Sequence, residues 1–107
     1  MSTLPERVTP AMIQAAISSV WYANAAESIV PDDFQPPVSA DHVLTRVTLC
    51  YIVTVNGHTL VGVNACVSAK EWDPVKAKQL AYEQAEAQLW GLEAYRLRQR
   101  QMEQRGE

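Results

Sequence analysis

The segment from Val47 to Val67 has the clearest structural pattern in this chain. Two runs rich in β-branched residues flank the dipeptide Asn56-Gly57, which is the strongest short-range signal for a β-hairpin. The register decides which side chains share a face, because a slip of one residue exchanges the two faces of a strand. We predict a three-residue loop with Gly57 in a bulge, since this register makes one face wholly apolar.

The two faces of the predicted hairpin differ in character. The apolar face, which we expect the C-terminal helix to cover, consists of Val47, Leu49, Tyr51, Val53, Val61, Val63, Ala65 and Val67. The opposite face is mixed and includes Thr48, Cys50, Ile52, His58, Leu60, Gly62 and Cys66. We interpret Gly62 as a place of close approach or a strand kink.

Helices are predicted on both sides of the hairpin. Thr9-Pro10 is a typical helix start, with Thr as N-cap and Pro at the first position, and apolar residues at helical spacing predict a helix over 10–24. Asp73-Pro74 repeats this signal and predicts a helix over 74–101, followed by a frayed tail over 102–107. The chain is therefore predicted to be a single α+β domain. It begins with an N-terminal helix, continues with an antiparallel β-hairpin over 43–67, and ends with a long C-terminal helix packed on the sheet. Residues 25–42, which contain prolines and acidic residues, are predicted to form a connecting loop.

The C-terminal helix has two apolar strips. The first strip, which is small at its start and would let the helix approach the sheet closely, is Ala77, Ala81, Ala85, Leu89, Leu92 and Tyr95. The second strip is Ala87, Trp90, Ala94 and Leu97. One sheet cannot cover both, so the second strip packs against the N-terminal helix or against another subunit. Gly91 is expected to serve helix packing.

No catalytic, cofactor or metal motif is found in the sequence. A metal site needs ligands that converge within a few ångströms. His58, Cys50 and Cys66 share a face, but neighbouring members lie about 13 Å apart along the strands. We therefore expect no metal, no cofactor, no enzymatic activity and two free thiols.

Charge and hydropathy also exclude several partners. The 107 residues carry a formal net charge of -3, which argues against a protein that coats nucleic acid. The Arg-rich end of the last helix complements the helix dipole without any anionic partner. The N-terminus has no signal-like segment and no apolar run is long enough to cross a membrane, so a soluble cytoplasmic protein is expected.

Several short motifs resemble those of a family of small, functionally uncharacterised proteins from tailed phages and prophages. They are Asn56-Gly57 at the turn, the strand motif from Gly62 to Cys66, and the helix motif Leu89-Trp-Gly-Leu-Glu-Ala-Tyr95. The helix motif departs from the family pattern at Ala94, where the family usually has Gly. The resemblance covers roughly residues 46–98 and implies a phage or prophage origin, with structural roles for Asn56, Gly57, Gly62, Cys66 and Tyr95.

These observations favour a non-enzymatic phage accessory protein that acts by binding, with a host protein as the expected partner in the host cytoplasm. The alternative is a small-ligand or nucleotide-binding module with its site at a subunit interface. We also expect a homo-oligomer, most simply a dimer, because a lone two-stranded ribbon is marginal in water. Its interface is predicted to contain Trp90, Ala94, Leu97, Ile52 and Leu60.

Overall fold

The computed structural model, which describes residues 4–30 and 37–106, confirms the α+β class. Three antiparallel strands form one sheet in the order β1-β2-β3, and the long C-terminal helix packs on one side of it. The elements are α1 (Pro10–Ala16), β1 (Ile17–Asn24), a 3-10 turn (Val43–Arg46), β2 (Val47–Thr54), β3 (Thr59–Ala65) and α2 (Pro74–Arg105).

The prediction of one helix over 10–24 is wrong in its second half. The helix ends at Ala16, and Ile17–Asn24 forms a strand that pairs with β2. This segment contains β-branched, aromatic and serine residues, which are poor helix formers. Since a two-stranded ribbon is marginal in water, the tertiary gain from a third strand decides the conformation here.

The predicted start of each helix is confirmed by its capping contacts. The Thr9 hydroxyl accepts a hydrogen bond from the Met12 amide at 3.3 Å. The Asp73 carboxylate accepts from the amide of Val75 at 3.0 Å and from that of Lys76. These contacts satisfy backbone donors that have no partner inside a helix.

The predicted hairpin register is also confirmed. Val53 pairs with Thr59, and the Thr54 amide donates to the His58 carbonyl at 2.8 Å. Residues 55–57 therefore form a three-residue loop. Gly57 has a φ of 85°, the left-handed conformation that a G1 bulge requires. The strands are shorter than the predicted span of 43–67, because residues 43–46 form the 3-10 turn and residues 66–67 lie beyond β3.

The connecting loop and the C-terminal end complete the described chain. Residues 25–30 and 37–42 are outside the helices and strands, as predicted for the loop, and residues 31–36 lie outside the described part. The predicted frayed tail is wrong for residues 102–105, since α2 continues to Arg105 and ends on Gly106 in the left-handed conformation. The Gln101 side chain donates to the carbonyls of Pro5 and Glu6, so the N-terminal segment lies against this end of α2.

Candidate functional site

The side of the sheet that α2 covers is the mixed face. The burial of β2 alternates, with Thr48, Cys50, Ile52 and Thr54 buried. The expectation that the helix packs on the apolar face is therefore wrong. The physical reason lies in Gly62. This residue has no side chain, so a helix backbone can approach β3 there, whereas the apolar face of β3 has no glycine.

The contact between Gly62 and α2 is very close. A Cβ atom at residue 62 would lie 2.0 Å from the carbonyl oxygen of Ala81 and 2.7 Å from the amide nitrogen of Ala85. Ala77, Ala81 and Ala85 are buried, so small residues on both partners bring the two backbones together. The predicted close approach at Gly62 is confirmed.

The other side of the sheet is left uncovered by the described residues, and we call it the open face. Trp21 is 61% exposed, and Val61 and Val63 are 42% and 41% exposed. The pairing places Trp21 beside Tyr51 and Tyr51 beside Val61, so these three side chains form one row across the sheet. The open face consists of Ser19, Trp21, Ala23, Val47, Leu49, Tyr51, Val53, Thr59, Val61, Val63 and Ala65, and none of these residues is charged.

The two edges of the sheet differ in how their backbone groups are satisfied. On β3, the Gln88 side chain donates to the Val61 carbonyl at 2.7 Å, and the Gln84 side-chain oxygen accepts from the Val63 amide. These glutamines occupy hydrogen-bonding positions that another strand would need. No comparable side-chain cap on β1 exists among residues 4–30 and 37–106.

Two of the residues predicted for a subunit interface lie inside the chain's own core. Ile52 is fully buried and Leu60 is 6% exposed, both in the cluster beneath α2. Their assignment to an interface is therefore wrong. It followed from placing the helix on the opposite face of the hairpin.

The second strip of α2 is divided between interior and surface. Leu97 is buried, so its assignment to a subunit interface is also wrong. Ala94 is exposed, and Trp90 is partly buried against the core. The Trp90 indole also donates to the Glu86 carboxylate at 3.4 Å. Much of the Trp90 side chain therefore has an intramolecular role.

The first strip of α2 is confirmed at its small end and wrong at its large end. After Leu89 the next buried residue is Leu97, whereas Leu92 and Tyr95 are 46% and 75% exposed. The buried positions recur every four residues, which is slightly more than one helical turn. The buried strip therefore winds gradually around the helix, and Tyr95 does not lie on it. A Cβ at Gly91 would have no neighbour within 4 Å, so the predicted packing role of Gly91 is wrong as well.

Both cysteines are free thiols in structural settings. Cys50 is fully buried, and this burial raises the pKa of its thiol, while the Tyr22 hydroxyl lowers it by a smaller amount. Cys66 donates to the Ser68 carbonyl at 3.2 Å. Desolvation, with the Cys50 thiol nearby, raises the pKa of Tyr22.

A cleft of about 360 Å³ lies between the hairpin turn and α2. Its polar lining includes Asn56, His58, Glu93 and Arg96, and Arg96 contacts Glu93 at 3.5 Å. Within the described part of the chain, no group of three or more His, Cys, Asp or Glu side chains is arranged to hold a metal ion. No helix described is long and apolar enough to span a membrane.

Comparison with known proteins adds one finding. A family model described as phage protein (N4 Gp49/phage Sf6 gene 66) matches residues 8–101. This match extends the resemblance at the hairpin and the last helix to α1 and β1. No curated protein and no solved structure matches the chain.

Proposed function

Because this chain belongs to the phage protein (N4 Gp49/phage Sf6 gene 66) family, we propose that it is a non-enzymatic accessory protein that binds a host protein in the host cytoplasm. The observation that carries the proposal is the open face. An exposed apolar patch of this kind is typical of an interaction surface in a protein that is otherwise well packed.

The chemistry of the open face indicates what kind of surface it would bind. The row of Trp21, Tyr51 and Val61 is uncharged. Aromatic residues at the centre of an interface carry much of the binding energy, and a charged partner group placed there would lose its hydration. The partner would therefore present an uncharged apolar surface, such as the face of a helix or of a second sheet.

His42, Cys50 and Cys66, three of the residues that could support catalysis, have structural roles, and this favours binding over an enzyme. The His42 Nδ1 accepts from the Leu44 amide at 3.1 Å. Cys50 is buried beneath α2, and Cys66 donates to a backbone carbonyl. A catalytic nucleophile needs a base within hydrogen-bonding reach. His42 and Cys66 form hydrogen bonds with backbone groups instead, and Cys50 is buried.

Capture of partners from infected cells tests the proposal. Two exposed valines provide a matched pair: Val61 on the open face and Val75 on α2, which is 78% exposed. We expect the wild type and Val75→Lys to retain one host protein at a stoichiometric level, and Val61→Lys to lose it. Retention of that protein by Val61→Lys would show that the open face is not its binding site.

The cleft at the hairpin turn supports a second candidate, a small-ligand module. It combines apolar walls with the amide of Asn56, the imidazole of His58 and the guanidinium of Arg96, a composition common in ligand pockets. Native mass spectrometry of the freshly purified protein discriminates the two candidates. A co-purifying small molecule that is lost in Arg96→Ala would favour the ligand module.

A further inference from the structure

We propose that two copies of this chain pair antiparallel through β1, across a two-fold axis, to form one continuous six-stranded sheet. The proposal rests on the proposed function, because the joined sheet would extend the open face that binds the partner. Four observations carry it: the state of the two sheet edges, the backbone groups of β1, the charge of this segment, and the area of the open face.

The contrast between the two edges gives the first argument. Unpaired edge strands invite pairing with another chain, and proteins block them with charges, prolines or covering groups. On β3, Gln84 and Gln88 occupy the outward positions. β1 is eight residues long and contains neither proline nor a charged side chain, and its register irregularity lies between Ile17 and Ser19, before Val20 and Tyr22.

The backbone of β1 shows which groups are available. The Ala25 amide donates to the Val47 carbonyl at 2.9 Å, and hydrogen-bonded positions alternate along an antiparallel pair. Trp21 and Ala23 therefore direct their backbone groups toward β2, while Val20 and Tyr22 direct theirs outward. Within residues 4–30 and 37–106, no hydrogen bond reaches these outward groups of Val20 and Tyr22.

Symmetry identifies a second copy as the occupant. An axis at Trp21 would set Val20 of each copy opposite Tyr22 of the other, so that their outward amides and carbonyls exchange hydrogen bonds. A two-fold axis also brings any charged residue on the pairing strand close to its own copy, and like charges placed there are destabilising. From Val8 to Ala26 the chain has no charged residue, in a protein with 20% charged residues, so this pairing meets no like charge on the strand itself.

The area of the open face supports the same conclusion. A strand of eight residues is roughly 26 Å long and three strands are roughly 14 Å wide, so the face projects on the order of 370 Å². A standard interface buries about 800 Å² per partner. Pairing through β1 would double the projected face to roughly 740 Å² and would place the two Trp21 side chains side by side at its centre.

The mass of the purified protein in solution tests the proposal, without any host partner present. Sedimentation equilibrium should give twice the chain mass for the wild type at micromolar concentration. Trp21→Lys places two ammonium groups at the axis and should give a monomer. Val63→Lys is the matched control, because it introduces the same charge on the same face but at the capped edge, and it should remain a dimer.

Disulfide trapping gives an independent test that does not rely on disrupting the pair. In the proposed pairing the two copies of residue 21 face each other at the axis as a non-hydrogen-bonded pair. The Cα atoms of such a pair are about 4.5 Å apart, which is within the range for a disulfide. Mild oxidation should therefore cross-link Trp21→Cys into a covalent dimer, whereas the wild type and Val63→Cys should not cross-link.

A monomeric wild type would overturn the proposal, as would a dimer that Val63→Lys disrupts as strongly as Trp21→Lys. Cross-linking of Val63→Cys in place of Trp21→Cys would also overturn it. Each of these results concerns the purified chain alone. Capture of a host protein, and its loss in Val61→Lys, is measured separately, so failure of the pairing and failure of the proposed function are distinguishable.

Discussion

Gly62 of β3 lies directly against Ala81 of α2, so close that a Cβ at residue 62 would stand 2.0 Å from the Ala81 carbonyl oxygen. This contact sets the distance between the helix and the sheet. It also determines which face of the hairpin the helix covers, and therefore which face remains open.

The first prediction concerns this contact. Gly62→Ala should destabilise the protein by about 3 kcal/mol or more, because the obstructing atoms belong to the helix backbone and to a buried alanine. Urea denaturation measures the free energy of unfolding. Gly91→Ala is the matched control, since nothing lies within 4 Å of the new methyl group, and it should stabilise α2 by about 0.5–1 kcal/mol.

The second prediction concerns the glutamine caps of β3. Gln88→Ala removes the donor to the Val61 carbonyl and should leave that edge open to pairing with other chains. We expect concentration-dependent association beyond the wild-type state, measured by light scattering. Gln79→Ala, which removes a contact within the helix to Glu83, should not change association. Equal behaviour of both variants would contradict a capping role.

The third prediction concerns Trp90. Because its indole packs against the core and donates to Glu86, Trp90→Ala should lower the free energy of unfolding by about 2–4 kcal/mol, somewhat below the range for a fully buried aromatic. Association should be retained at concentrations where the variant is folded, as measured by sedimentation. Arg100→Ala, at an exposed position near the end of α2, should change neither quantity. Selective loss of association in Trp90→Ala would instead place this residue at a subunit interface.

The fourth prediction concerns the thiols and pH. Burial raises the pKa of Cys50 in the folded state, so above the ordinary thiol pKa the unfolded chain releases a proton that the folded chain retains. The free energy of unfolding should therefore fall as pH rises from about 8.5. Urea titrations between pH 7 and 9.5 should show a shallower fall for Cys50→Ala than for the wild type.

A thiol titration completes this test. Without reductant, both cysteines should react in denaturant, and Cys50 should react slowly in the folded protein because it is fully buried. Rapid native-state reaction of both thiols would contradict the packing of α2 over Cys50.

The local features of this fold can be predicted from the chain order alone. Asn56-Gly57, Thr9-Pro10 and Asp73-Pro74 are each decided by nearby backbone geometry, and all three predictions are confirmed. The hairpin register was predicted from the apolar pattern of the two strands, and the observed pairing confirms it. Such features depend on steric limits and hydrogen bonds between residues a few positions apart, and these are readable from the chain order.

The conformation of residues 17–24 and the face that α2 covers depend on contacts between distant parts of the chain. Residues 17–24 combine apolar residues at helical spacing with residues that are poor helix formers, and pairing with the free edge of β2 makes them a strand. The apolar pattern predicted the wrong helix-facing side, because burial depends on how closely two backbones can approach and not on hydrophobicity alone. Gly62 permits that approach on the mixed face, and the apolar face is consequently left open.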